Sequence, residues 1–118
     1  MARSEITLAE AGYQSAGAVT ADAVDTSNNH FVDVAGAKCK NIAFRIYGGT
    51  GDGVTAAFKA GDFSDAGIGD LDVKVTAGAT KVVAVESARF KDSDEYILID
   101  ASSTGTATAA TIEAYEIK

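Results

Sequence analysis

His30 is the single histidine of this 118-residue chain and Cys39 its single cysteine. Together they could form a thiol–imidazole pair, the usual way to activate a sulfur nucleophile. A serine triad would also have to use His30 as the link between nucleophile and acid. Neither residue carries a sign of activation, and no loop suggests an oxyanion hole. Lys38 and Lys40 flank Cys39 and would lower its pKa only slightly. The expectation is a structural thiol, buried or half-buried, and a histidine at the surface or at a strand end. One cysteine excludes an intrachain disulfide. Asp62, Asp65, Asp70 and Asp72 lie among glycines. Loop carboxylates of this kind can bind calcium, which takes about six to eight oxygen ligands. Their spacing does not match a calcium loop and no glutamate closes the set, so turn-forming aspartates are expected. The run Gly48-Gly49-Thr50-Gly51-Asp52-Gly53 superficially resembles a phosphate loop. Val54 stands where such a loop needs lysine, and a strand pattern follows instead of a helix N-terminus. Tyr13, Tyr47, Tyr96 and Tyr115 could stack on sugars or anchor an interface, although cross-strand packing is the more frequent explanation. No catalytic, cofactor-binding or metal-ligating set is therefore expected: the chain reads as a non-enzyme without a cofactor.

The elements that position these residues are read from hydrophobic periodicity. From His30 onward the period is two, as in half-buried strands. Phe31, Val32 and Val34 begin the pattern. Ile42, Phe44 and Ile46 alternate with Arg45 and Tyr47. Val54, Ala56 and Phe58 alternate with Thr55 and Lys59, and Leu71, Val73 and Val75 with Asp72, Lys74 and Thr76. Val82 to Val85 and Tyr96 to Ile99 are continuous apolar runs, expected of strands covered on both faces. Ile112 and Ala114 alternate with Glu113 and Tyr115 towards Ile117. The predicted core includes Ile42, Phe44, Ile46, Val73, Val75, Val82 and Ile112. Turn chemistry separates the runs: a flexible glycine hairpin at Gly48 to Gly53, a tight link at Ala77-Gly78-Ala79, and turns at Asp92-Ser93-Asp94 and Ser102 to Gly105.

Before His30 the pattern weakens. Ile6 and Leu8 suggest a short edge strand, Thr7 to Tyr13 is the best helix candidate, and Ala18 to Asp22 could add a short strand. Residues 1–29 read as an N-terminal arm or edge segment and 30–118 as one β-sandwich domain with about eight short strands. The chain has no proline, where average usage predicts about six. Strand edges must then be protected by charges, bulges or a neighbouring subunit.

Apolar residues make up 47% of the chain but aromatics only 8%, which predicts a thin core of valine, isoleucine, leucine and a few phenylalanines. The net charge of −7 argues against nucleic acid and against anionic membrane surfaces as partners. Met1 to Ala11 has acidic residues and no long apolar run, and nothing approaches a membrane span. A soluble protein made in a cytoplasm is expected.

Several segments carry a resemblance. Lys40-Asn41-Ile42-Ala43-Phe44-Arg45-Ile46-Tyr47-Gly48 resembles a strand running into a glycine-bearing hairpin. Val73-Lys74-Val75-Thr76-Ala77-Gly78-Ala79-Thr80-Lys81-Val82-Val83 resembles a strand, tight turn and strand. Phe90 through Asp94 to Ile99 resembles the next strand with its aspartate-bearing approach, and Ser102-Ser103-Thr104-Gly105 with Ala107 to Ile112 resembles the closing turn and last strand. In this order, over residues 30 to 117, they resemble the small head-decoration (cement) proteins of tailed bacteriophages. Ala84 to Arg89 departs from that pattern, because related chains carry prolines there. The resemblance implies a β-sandwich or jelly-roll-like domain on the capsid exterior of a virion. It also implies the major capsid protein as partner and a homo-oligomer, with a trimer favoured. A carbohydrate-binding or adhesion module of a phage fibre or surface protein is the alternative expectation.

Overall fold

A computed structural model of the chain describes residues 3–11, 21–35, 41–61 and 69–117. Cys39, Lys38, Lys40, Tyr13, Asp62 and Asp65 lie outside the described residues.

The period-two segments form two packed sheets. The front sheet has the order β1 (Ser4–Glu5), β4 (His30–Asp33), β10 (Tyr96–Ser102), β7 (Val54–Phe58) and β8 (Leu71–Val75). The back sheet runs β2 (Leu8–Ala11), β12 (Thr111–Ile117), β5 (Asn41–Tyr47) and β9 (Thr80–Glu86), with β3 (Asp22–Ala23) also paired to β12. A small two-stranded ladder, β6 (Thr50–Gly51) with β11 (Ala107–Thr108), lies beside them. The sheets do not close into a barrel. The described strands number twelve rather than the expected eight or so, because two-residue strands are too short to leave a periodic signal.

The core is where the inner faces meet. Phe44 of the back sheet meets Phe58 of the front sheet edge-on, with ring centroids 4.8 Å apart. Phe90 continues the stack at 6.1 Å from Phe58. Such pairs add about 0.5–1.5 kcal/mol beyond area burial. Around them pack Ile6, Ile42, Ile46, Ile97, Ile99 and Ile112. Of the residues predicted for the core, Ile42, Phe44, Ile46, Val75 and Ile112 are buried and Val73 is half-buried. Val82 is the exception, at 61% exposed. It shares its face with Arg45, its register partner on β5, so it points away from the core. The leucines are also absent from the fully buried set: Leu8, Leu71 and Leu98 are half-buried.

Both continuous apolar runs are covered on one face only. Along β9 only Val85 is buried, with Val83 half-buried. Along β10 Ile97 and Ile99 are buried while Tyr96 and Leu98 are half-buried. The apolar outer residues of β10 have neighbours on that face: Tyr96 stacks on Phe31 with centroids 4.8 Å apart, and Leu98 pairs with Phe31 in register.

The glycine run is not a hairpin. β5 belongs to the back sheet and β7 to the front, so Gly48 to Gly53 carries the chain from one sheet to the other. Nor is it loose. Gly48 N–H donates to Ala79 O at 2.9 Å and Gly78 N–H to Gly49 O at 2.8 Å, which docks this crossing against the Ala77–Ala79 turn. Gly49 has φ +71° and a Cβ there would collide with Thr108 O, so both backbone conformation and space demand glycine. Ala77 to Ala79 is itself a crossing, from β8 in front to β9 behind.

The segment rated the best helix candidate is strand at Leu8–Ala11, paired in parallel with β12. Tertiary pairing outweighs a weak local helical preference. The described residues before His30 supply β1, β2 and β3 to the two sheets, and Ile6 is fully buried between them. The only helix among the described residues is one turn, α1 (Ser87–Phe90), which overlaps the span where the resemblance departs.

Candidate functional site

The polar residues that the fold gathers lie at the start of β4. His30 is the first residue of that strand and 1% exposed. It is at a strand end, as expected, but buried rather than on the surface. Its Nε2 faces the backbone N–H of Asp25 at 2.8 Å. A backbone N–H can only donate, so Nε2 carries no proton and accepts. The neutral ring then carries its proton on Nδ1, which faces Ser4 O at 3.3 Å. Burial lowers the His30 pKa below its ordinary value, against the opposing pull of the Ser4 carbonyl and of Asp25. Both ring nitrogens are occupied by backbone groups.

Asp25 organises the turn beside it. Its carboxylate accepts from Ser27 N–H and Asn28 N–H, each at 3.0 Å, from Asn28 Nδ2 at 3.2 Å and from Ser4 Oγ at 2.7 Å. These bonds, led by that from the Asn28 backbone, lower its pKa to about 2. Arg3 completes the group. It pairs with Asp100 at 2.7 Å and donates to His30 O and Ile99 O. The periodicity does not single out Asp25 because its role is to close a turn. The available signal was the run Asp25-Thr26-Ser27-Asn28, whose residue types favour side-chain-to-backbone turns.

The other buried polar side chain among the described residues is Glu116. It lies in phase with Ile112 and Ala114 on the inner face of β12 and pairs in register with Ile42. Its position on that apolar stripe is visible in the sequence, although its chemistry does not match the stripe.

The remaining sequence candidates separate. Asp70 pairs with Lys59 Nζ at 2.7 Å and accepts Ala60 N–H at 2.6 Å. The Lys59 hydrogen bond lowers the Asp70 pKa and raises that of Lys59. Asp72 points outward from β8. Among the described residues no three His, Cys, Asp or Glu side chains converge as a metal site would require. Asp92 makes a turn, accepting the N–H of Asp94 and of Tyr96, each at 2.9 Å.

The second feature is a surface. Among the described strands β9 has one neighbour, β5. The bond from Gly48 N–H to Ala79 O fixes the phase of that ladder. Lys81, Val83 and Val85 therefore bond to β5, while the backbone groups of Thr80, Val82, Ala84 and Glu86 point away from it. Those four residues are all exposed, so this edge is open. The adjoining outer face of the back sheet carries half-buried Tyr47 and Tyr115 around the Arg45–Glu113 ion pair of 3.1 Å. No protein-family model, curated protein or solved structure matches this chain.

Proposed function

We propose that this protein is a capsid-decoration protein. It binds the outer surface of an assembled phage head across neighbouring major capsid subunits and stiffens the shell. The observation that carries this reading is the open strand β9. It holds the end of the Val73 to Val83 segment on which the resemblance is most distinctive, and it presents Val82, the one large hydrophobic side chain exposed among the described residues. An unpaired edge with an exposed apolar side chain is suited to lie against another protein. A ligand that prefers the expanded shell stabilises it by that difference in affinity. Attachment as a homo-oligomer, with a trimer favoured, multiplies weak individual contacts.

The test is co-sedimentation with expanded shells assembled from the major capsid protein of the phage that encodes this chain. The expected result is saturable binding that raises the melting temperature of the shells and weakens in Val82→Lys. Light scattering of the free protein reports its oligomeric state. If the folded protein binds no shell, the decoration reading fails. Binding on a glycan array would then support an adhesion module using the Tyr47 and Tyr115 face.

A further inference from the structure

The sequence reading leaves His30 without a role, and the decoration reading does not use it either. Its ring nevertheless ties the nearby Asp25 turn to β1, at the far N-terminal end of the described chain. Nε2 accepts from Asp25, Nδ1 faces the carbonyl of Ser4 in β1, and His30 itself pairs with Ser4 on one side and Ile99 on the other. The N-terminal strand is tied to β4 by its own parallel ladder, flanked by Ser4 N–H to Asn29 O and Ile6 N–H to Phe31 O, each 2.9 Å. We propose that His30 is a proton-sensitive staple, which holds the Asp25 turn against the start of β4 near neutral pH and releases it in mild acid.

The geometry gives the reason. A protonated ring is a donor at both nitrogens. Its Nε2–H would face the N–H of Asp25, donor against donor, in a site with no solvent access to relieve the charge. The charged groups around it do not offer an escape. The Asp25 carboxylate is the nearest anion, but its oxygens already hold Ser4, Ser27 and Asn28. Asp22 acts on the ring only at a distance and accepts Thr7 N–H at 3.2 Å. Arg3 adds a like charge and is held by Asp100 on β10. The bond from Nδ1–H to Ser4 O survives protonation, so the proton is accommodated when the N–H of Asp25 moves away from Nε2 and the Asp25 turn opens. The direction follows from linkage. Because burial depresses the folded pKa of His30, the unfolded chain binds the proton more readily. The contribution of the neutral ring is therefore full above the ordinary histidine value near 6.5 and declines as pH falls below it.

The test uses the isotopically labelled full chain and amide hydrogen exchange, corrected for intrinsic rates, between pH 7.5 and 5. At pH 7.5 the ring nitrogen shifts should report the Nδ1–H tautomer. On acidification the protection of the Asp25 and Asn29 amides, which bond to His30 Nε2 and Asp25 O, should fall relative to that of Phe44 in central β5. His30→Gln keeps an acceptor for Asp25 N–H but cannot titrate, and should lose this pH dependence. Protection of Asp25 and Asn29 that tracks Phe44 throughout overturns the proposal, as does an unchanged drop in Asn29 protection in His30→Gln. Should that variant fail to fold, the wild-type chain decides. Ring titration and loss of Asn29 protection must share one midpoint, and separate midpoints overturn the proposal.

Discussion

At the scale of single residues, burial and hydrogen bonding set what each side chain can do. Phe44 touches Phe58 across the sheets and is fully buried. Phe44→Ala should destabilise the protein by about 3–5 kcal/mol in a urea titration, because the removed ring leaves a cavity between two sheets that cannot collapse fully. Asp25 makes a prediction in acid. Its folded pKa, about 2, lies below the ordinary aspartate value of 3.8. Its contribution to stability is thus complete above 3.8 and is lost as pH falls towards 2. Asp25→Asn should flatten the pH dependence of the melting temperature in that window. These residues differ in how visible they are from sequence. Phe44 is legible through alternation with Arg45. Asp25 is a turn residue among many, and its partner Ser4 is brought near only by the parallel pairing of β1 with β4.

At the scale of elements, edges carry the information. In β9 the N–H of Val83 bonds to β5, whereas that of Val82 points outward. Proline removes a donor and is tolerated in a strand only where that donor faces solvent. Val83→Pro should lower the melting temperature sharply in a thermal scan, and Val82→Pro should change it little. The N-terminal strands give a second prediction. A chain starting at His30 loses β1, β2 and β3 and the buried Ile6, leaving the outer edges of β4 and β12 without these partners. It should melt at lower temperature and aggregate on heating, as light scattering would show. The sequence marks Ile6 and Leu8 as strand-like but cannot reveal their partners. Leu8 pairs with Ala114 and Ser4 with His30, contacts for which local pattern holds no signal. The misread helix at Thr7 to Tyr13 has the same cause.

At the scale of the whole molecule, the topology joins distant parts of the chain. β2 lies beside β12, and the chain repeatedly crosses between sheets. Non-local pairing closes large loops before any contact forms, so refolding should take milliseconds to seconds rather than microseconds. The chain has no proline, so stopped-flow refolding should lack the phase of roughly 10–100 s that proline isomerisation produces at 25 °C.

The sequence by itself determined the all-β class, the inward faces of β5, β7 and β12 and the position of most turns. These follow from local chemistry: alternation sets a strand's face, and glycine and aspartate set turns. Tertiary structure alone decided the rest. The Val82 to Val85 run lies on an open edge because, among the described strands, β9 has only β5 beside it. The glycine run is a crossing between sheets because its flanking strands pair elsewhere. His30 is buried because the N-terminal strand and the Asp25 turn close over it. In each case the deciding quantity is which distant backbone supplies the hydrogen-bond partner, and no window of neighbouring residues contains it.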